Sequence, residues 1–315
     1  MTVDERILKP EERAAFTLRA LYADHGYRQY KMSKFEEYDL YVKNKDFLIS
    51  DNIITFTDTN GKLMALKPDV TLSIIRSTKD LPDGVEKVYY DENVYRVSKG
   101  THRFREIKQS GLECIGAVGK ENLCEVISLA AQSLKKLSPA CVLDLSHLGI
   151  LQAVIDSLNV PPETAAAIQR KAGEKNLHEI DALCTEANAD PTATEIFKRL
   201  AQIYGQPETV LPQLEHLLKG TAAQPALNAF SAILTGLEQT PAKDVLRIDF
   251  SVVGDMRYYN GAVFKGFIEG IPGSVLSGGQ YDRLMRRMHR NAGAVGFAVY
   301  LDMLERLQEG GGENG

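Results

Sequence analysis

Tryptophan, metal-ligand clusters and long apolar segments are all missing from this sequence. The four cysteines form no Cys-x-x-Cys pair and have no histidine at metal-ligand spacing, so we expect no metal and no cofactor. Such cysteine usage favours reduced thiols in the cytoplasm. No apolar run is long enough to span a bilayer, and the charged N-terminus does not resemble a secretory signal, so we expect a cytoplasmic protein without membrane contact. The cysteines are Cys114, Cys124, Cys141 and Cys184.

Positive charge is not in excess either. The formal net charge of −5 at pH 7 argues against a general nucleic-acid binder, although it leaves room for a local basic face. With 44% hydrophobic and 25% charged residues, the composition is that of a globular protein. A length of 315 residues suits one large domain or a domain with an insertion.

A predicted hairpin over residues 94–116 carries the most informative polar pattern. Two strands are joined by a turn at Lys99–Thr101, and on the second strand Arg105, Gln109 and Glu113 share one parity. Side chains of one parity share one face of a sheet. A cation, an amide and a carboxylate cannot form a core there, so this face either meets water or lines a pocket for a charged ligand. The hairpin alone does not choose between these alternatives.

The remaining pattern predicts an α+β fold around a mainly antiparallel sheet. Asn60-Gly61 predicts a hairpin turn within residues 51–66. Residues rich in Ala, Leu, Glu, Gln and Lys then predict a small all-helical insertion without a catalytic constellation, and the strands on its two flanks should complete one sheet. The predicted segments are 1–160 for the first part of the core, 161–240 for the insertion, 241–308 for the second part and 309–315 for a disordered tail.

Several ordered motifs outside the insertion read NVYR, RFREIKQSGLECIG, RYYNGAVF, LSGGQYDRL and AVGFAVYLDML. They resemble the catalytic core of the histidyl-tRNA synthetases, a family of class II synthetases. LMALKPDVT resembles a further family segment, with Lys67 and Asp69 in place of an arginine and a glutamate. Ordered motifs at sensible intervals are more specific than one short pattern. The resemblance implies a class II core, with a sheet flanked by helices, that forms a self-dimer through its motif 1 region.

The resemblance also implies a histidine pocket. Residues at the positions of Asp69, Thr71 and Gln109 hold the amino group in that family, and those at Glu113 and Tyr259 approach the imidazole. These roles suit the residue types, because an ammonium needs acceptors, an imidazole needs a hydrogen-bonding edge, and a carboxylate favours arginine. The implied histidine-binding residues are Asp69, Thr71, Arg96, Gln109, Glu113, Tyr258, Tyr259 and Tyr281.

From spacing alone, four of these residues could have purely structural roles. Asp69 and Thr71 stand where a helix begins and could simply cap it. Tyr258 and Tyr259 are neighbours in a predicted strand, so strand alternation allows only one of them to face the pocket. Arg96 matches an arginine of motif 2, and the resemblance puts it near a carboxylate or a phosphate.

Departures from the family concern nucleotide chemistry. Gly254 stands where the synthetases carry an arginine that activates the amino acid, and Met303 replaces the arginine of motif 3. Tyr300 replaces a glycine that lets ATP approach, Ser98 replaces a glutamate of motif 2, and Ser33 replaces the proline of motif 1. Adenylyl transfer depends on cations that neutralise developing charge, so losing several should abolish it.

A core that keeps an amino-acid pocket but loses the ATP machinery resembles the regulatory subunits of ATP phosphoribosyltransferase, which are paralogues of the synthetases. That enzyme joins ATP to phosphoribosyl pyrophosphate in the first committed step of histidine biosynthesis. The resemblance implies a chain without catalytic residues that assembles with the short-form catalytic subunit, activates it and transmits feedback inhibition by histidine. It also implies that the anticodon-binding domain is absent and that tRNA is not a ligand. The alternatives are a truncated histidine ligase and a tRNA-binding module, the latter disfavoured by the net charge.

Overall fold

A nine-stranded mixed sheet forms the centre of the fold. The computed structural model describes residues 7–44, 53–79, 81, 83–98, 101–254 and 258–305. The strands within these residues are β1 (Arg28–Gln29), β2 (Phe35–Glu37), β3 (Thr55–Thr57), β4 (Leu63–Leu66), β5 (Val85–Val97), β6 (Phe104–Gly116), β7 (Cys141–His147), β8 (Tyr204–Gly205), β9 (Leu246–Asp249), β10 (Ala262–Ile268), β11 (Leu276–Gln280) and β12 (Gly293–Tyr300). The sheet order is β1-β5-β6-β12-β11-β10-β7-β9-β8, and β2, β4 and β3 form a separate small sheet.

Helices cover the sheet and fill the middle of the chain. They are α1 (Pro10–Asp24), α2 (Tyr38–Lys43), α3 (Thr71–Ser77), α4 (Lys120–Leu137), α5 (Leu148–Ser157), α6 (Pro162–Gly173), α7 (Leu177–Glu186), α8 (Pro191–Gln202), α9 (Pro207–Leu218), α10 (Gln224–Leu237) and α11 (Asp282–Arg287), followed by a 3₁₀ turn at Leu301–Glu305. Helices α1 and α4 pack on one face of the sheet, where α4 buries Leu123, Val126, Ala130 and Leu134 at helical spacing. The predicted α+β class is confirmed.

Strands β5 and β6 form the longest hairpin, as the sequence predicts. Arg96 lies opposite Arg105, Glu92 opposite Gln109, and Val88 opposite Glu113 in antiparallel register. The predicted turn at Lys99–Thr101 includes two residues that lie outside the described part of the chain. Because register partners share a face, the polar residues of one parity on β6 meet those of β5 on the same side of the sheet.

The two flanks of the helical block complete one sheet, which confirms that prediction. Strand β7 precedes the block and lies between β10 and β9, which both follow it. The sheet is mainly antiparallel, with β1 parallel to β5 and β7 parallel to β9. At the centre β6 pairs with β12 over eight residues, so segments almost two hundred residues apart in sequence become direct neighbours.

The helical block is attached to this core rather than separate from it. Its helices α6 to α10 bury Ile168, Phe197, Leu214 and Phe230 in the same apolar cluster that holds Leu145 of the sheet. Between α8 and α9 the short strand β8 pairs with β9 and adds an edge to the central sheet. The domain boundaries at 161 and 240 stay a prediction.

The small sheet carries an outward apolar face. Phe35 on β2 lies opposite Leu66 on β4, and Phe56 on β3 lies opposite Met64 on β4, so these four side chains share a face. The rings of Phe35 and Phe56 contact each other edge to face with centroids 5.3 Å apart, and both remain exposed. The turn predicted at Asn60-Gly61 joins β3 and β4, which confirms this hairpin for residues 53–66.

Across the described residues, no helix is long and apolar enough to cross a membrane.

Candidate functional site

A cavity of about 590 Å³, counted to its open mouth, lies on the face of β6, β11 and β12 beside the start of α3. The lining residues are Asp69, Val70, Thr71, Tyr90, Arg96, Gln109, Glu113, Tyr258, Tyr259, Ser277, Tyr281, Gly296, Phe297, Ala298 and Tyr300. All eight residues of the predicted histidine pocket are among them. Their binding of histidine stays a prediction.

Sheet register explains which polar residues of β6 reach this cavity. Gln109 and Glu113 share a face and are both buried within the lining. Arg105 has the same parity, but it lies one step beyond the cavity, half exposed, and donates to Asp302 at 3.3 Å. The hairpin face therefore divides into a pocket half and a solvent half, which combines the two alternatives that the sequence left open.

Glu113 is the most buried charged group of the cavity. Thr71 Oγ1 donates to its Oε1 at 2.7 Å, and the Tyr281 hydroxyl donates to its Oε2. Burial raises the pKa of Glu113 from 4.5 to about 8, because the hydrogen bonds from Tyr281 and Thr71 offset only part of the desolvation and Asp69 adds like charge. The site thus holds a proton near neutral pH unless a cation compensates the carboxylate.

A second carboxyl group stands beside it at the start of α3. Asp69 Oδ1 accepts from the backbone N–H of Leu72 at 3.0 Å, so it does cap the helix while it lines the cavity. Burial raises the pKa of Asp69, although hydrogen bonds and the Arg96 charge counteract it. Thr71 has a different role, because its hydroxyl bonds Glu113 rather than the helix end. This end of the cavity is acidic and rich in acceptors.

Arg96 and Gln109 add hydrogen-bond donors to the cavity. Arg96 is half-buried and is oriented by a bond from its Nε to the carbonyl oxygen of Pro68, next to Asp69, at 3.0 Å. Gln109 is buried and lies opposite Tyr300 of β12. The hydroxyl of Tyr300 and Ser277 Oγ are 2.6 Å apart and close the cavity there. Carboxylates favour such guanidinium and amide donors.

Three tyrosines form an aromatic wall. The Tyr258 ring lies 4.7 Å from that of Tyr259 and 5.6 Å from that of Tyr281, measured between centroids. Both Tyr258 and Tyr259 line the cavity, so the expectation that only one of them faces it was wrong. That expectation assumed strand alternation, whereas these two residues lie in a turn before β10, where the backbone does not alternate.

Small residues make room for the buried polar groups. A Cβ at Gly296 would overlap Glu113 Oε2, and a Cβ at Gly111 would overlap the Tyr90 hydroxyl and the carbonyl oxygen of Phe297. Both positions therefore require glycine for close packing rather than for an unusual backbone angle. The short side chains leave the sheet backbone exposed as the cavity floor.

Sequence reasoning missed three polar side chains of the lining. Tyr90 lies opposite Gly111 on β5, and Ser277 and Tyr300 reach the cavity from β11 and β12. Strand alternation could have indicated Tyr90, because Tyr90 and Arg96 have the same parity on β5 and therefore share one face of the sheet. The sequence marks Tyr300 only as the replacement of a glycine, and nothing local places Tyr300 or Ser277 in the cavity, because their position depends on how β12 pairs with its neighbours.

Three of the positions that depart from the synthetase motifs, all within the described residues, add no cation to the cavity lining. Gly254 adopts a φ of +52°, a left-handed angle that favours glycine, and residues 255–257 lie outside the described part. Met303 packs against the apolar core. Lys67 is fully buried and donates to Glu92 Oε2 at 2.8 Å, so this cation pairs internally. Among the described residues no three metal-ligating side chains come together.

Relatives of this chain share a description. The ATP phosphoribosyltransferase regulatory subunit of Oceanobacillus iheyensis is 26% identical over 286 residues, which cover 90% of this chain and 70% of that protein. A Bacillus halodurans protein described as an ATP phosphoribosyltransferase regulatory subunit/histidyl-tRNA synthetase has a similar crystal structure. It is 25% identical with a TM-score of 0.84, over 98% of this chain and 81% of the other.

Two further comparisons concern the fold and the family. A chain from the ATP phosphoribosyl transferase complex of Thermotoga maritima has a TM-score of 0.71 over 92% of this chain and 97% of its own length. At 19% identity, that likeness shows the fold alone. The family model described as Histidyl-tRNA synthetase matches residues 3–304, nearly the whole sequence. The chain therefore belongs to the histidyl-tRNA synthetase family.

Proposed function

We propose that this chain is a regulatory subunit of ATP phosphoribosyltransferase, without catalytic activity of its own. The observation that carries the proposal is the polarity of the cavity. Two buried carboxyl groups, those of Glu113 and Asp69, line it together with the Arg96 cation and the Gln109 amide. Such an arrangement suits a small zwitterion with an additional cationic or hydrogen-bonding group, which describes histidine.

The proposed pose follows from the charges. The ammonium and imidazole groups of histidine lie at the acidic end, where Asp69, Glu113 and the hydroxyl oxygens of Thr71 and Tyr281 accept hydrogen bonds. The carboxylate lies against Arg96, and Gln109 helps Asp69 and Thr71 to hold the ammonium, as the resemblance implies. A cation near Glu113 favours the ionised carboxylate, which otherwise keeps its proton near neutral pH.

The lack of cations positioned for phosphoryl or adenylyl transfer among the described residues suits regulation rather than catalysis. Phosphoryl and adenylyl transfer need cations aimed at the developing charge. In this chain Met303 packs in the core, Gly254 has no side chain, and Lys67 is neutralised by Glu92. A ligand that binds one state of an assembly better than another shifts its activity, and this linkage is the proposed mechanism of feedback inhibition by histidine.

Reconstitution tests the proposal directly. We expect the short-form catalytic subunit from the same organism to form phosphoribosyl-ATP only when this chain is added, and added histidine to lower that rate. Glu113→Gln should keep the activation and weaken the inhibition, because it changes the pocket and not the surface. Activity without this chain, or no activity with it, would refute the proposed role. Histidine-dependent exchange of pyrophosphate into ATP would instead support a ligase.

We also propose a self-dimer through the outward apolar face of the small sheet. Phe35 is 51% exposed and Phe56 is 37% exposed, and their paired rings form a ready contact for a second copy. Phe35→Lys should shift the mass measured by light scattering from dimer to monomer. Phe104→Lys is the matched control, since Phe104 is 74% exposed on the distant β6 and should not alter the mass. A dimer unaffected by Phe35→Lys would contradict this interface.

The proposed location of this chain is the cytoplasm, where its four cysteines, all buried and free, stay reduced.

We expect no specific tRNA binding, because the net charge is negative and contacts to phosphates need a local excess of cationic side chains. A filter-binding titration with total tRNA at low and physiological salt tests this. Saturable binding that persists at physiological salt would contradict it.

A further inference from the structure

We propose that Tyr300 sets the length of the ligand that the cavity accepts, by closing the end where the carboxylate of an amino acid lies. The inference rests on the proposed histidine site and specifies which histidine derivatives that site admits. Free histidine fits, and histidine extended through its carboxyl group by a further residue does not.

Strand register gives the length of the cavity floor. On β12, Gly296, Ala298 and Tyr300 share one face, with Gly296 opposite Glu113 and Tyr300 opposite Gln109 on β6. Four residues of an antiparallel strand span about 13 Å. Contacts of about 3 Å at the Glu113 end and at the Tyr300 end leave roughly 7 Å for the ligand itself.

Between these two ends, strands β11 and β12 themselves contribute only short side chains to the floor. Ser277 lies beside Ala298, and Gly279 lies beside Gly296, on the adjacent strand β11. Phe297 belongs to the opposite face, where its ring packs against Tyr22 with centroids 5.9 Å apart. Tyr300 is therefore the first large side chain that β12 contributes in the direction away from Glu113, while Tyr90 of β5 reaches over Gly111 between the two ends.

One side-chain bond restrains the Tyr300 ring, and one backbone bond fixes the strand that carries it. Its hydroxyl lies 2.6 Å from Ser277 Oγ, and its backbone N–H donates to the carbonyl oxygen of Val275 at 2.8 Å. The side chain is half-buried, so a ligand can displace it only by breaking the bond to Ser277. Such a restrained ring acts as a wall and excludes longer ligands.

Histidine matches the remaining space. Standard bond lengths give about 7 Å from its carboxylate to the far atom of its imidazole. A further residue in extended conformation adds about 3.5 Å, which would place its atoms in the volume of the Tyr300 ring. The carboxylate of the extended ligand would also leave Arg96.

Calorimetric titration of the full chain with L-histidine and with L-histidyl-glycine tests the inference. The wild-type protein should bind histidine about 100-fold more tightly than the dipeptide, within the range for a steric mismatch in a pocket. Tyr300→Ala should reduce that ratio to about tenfold or less, because the ring is gone. Tyr300→Phe keeps the ring and removes only its bond to Ser277, so its ratio should lie between the wild-type and Tyr300→Ala values.

Ser277→Ala provides a second variant that leaves the ring in place. It removes the bond to the Tyr300 hydroxyl, so the ring can turn away and the ratio should fall to an intermediate value. Thermal melts check that each variant folds. If Tyr300→Ala does not fold, the ratio of histidine affinity to dipeptide affinity measured for Ser277→Ala tests the role of Tyr300 instead. A dipeptide affinity equal to that of histidine in the wild type, or an unchanged ratio in the folded variants, would overturn the role of Tyr300 and leave the histidine site standing. A wild-type protein that binds neither ligand would overturn the histidine site and this inference with it.

Discussion

Replacing Glu113 with glutamine should remove a pH dependence from the stability of the protein. Glu113 is 2% exposed, and its pKa rises from 4.5 to about 8 on folding because burial disfavours the charged form. Between these two values the folded protein keeps a proton that the unfolded chain has lost. Raising the pH through this window therefore favours unfolding, and stability contributed by the neutral group declines.

The magnitude follows from proton linkage. One pKa unit corresponds to about 1.4 kcal/mol, and integrating from pH 5 to pH 8 between the two pKa values gives a loss of about 3.5 kcal/mol. Glutamine carries no proton in this range, and its amide still offers an oxygen to Thr71 or Tyr281. From pH 5 to pH 8, the unfolding free energy of the wild type should therefore fall by about 3.5 kcal/mol relative to that of Glu113→Gln.

Urea unfolding at pH 5, 6, 7 and 8 measures this difference. Circular dichroism and tyrosine fluorescence serve as two probes, since the sequence has no tryptophan, and their coincidence checks that unfolding is two-state. Glu163→Gln on α6 is the control, because Glu163 is exposed and its replacement should leave the wild-type pH profile unchanged. Parallel profiles for the wild type and Glu113→Gln would refute the assignment of a buried, protonated carboxyl group.

Three further substitutions test the geometry of the cavity. Gly296→Ala should lower the unfolding free energy by about 2 kcal/mol and abolish histidine binding, because the added methyl overlaps the Glu113 carboxylate; wild-type affinity in calorimetry would contradict the packing. Arg96→Met should weaken histidine binding by roughly 10- to 150-fold through loss of a charged hydrogen bond, and an unchanged affinity would move the carboxylate elsewhere. Lys67→Met should destabilise the protein by about 3 kcal/mol in urea unfolding, since it leaves the largely buried Glu92 unpaired. Adding Glu92→Gln should restore most of that loss, and a double variant as unstable as the single one would rule out pairing as the cause.

Local features of the fold were predictable from the sequence because they depend on neighbours along the chain. The hairpin of β5 and β6 follows from alternation on both sides of a short turn, and the helix α4 follows from its apolar spacing. Asp69 was predicted both as a cap and as a pocket residue, and its carboxyl group does both. Tyr258 and Tyr259 were misjudged in one respect, because alternation was assumed for a segment that forms a turn.

The sequence by itself determined the α+β class and the shared face of the polar residues on β6. It also contains the motifs that indicate the eight pocket residues. Only the tertiary structure decided that β12 pairs with β6, which brings Tyr300 opposite Gln109 and Gly296 against Glu113. It also decided that Thr71 and Tyr281 satisfy both oxygens of Glu113. The physical reason is that pairing of distant strands is selected by the packing of the whole core, whereas alternation and turns are selected by short-range sterics and hydrogen bonds.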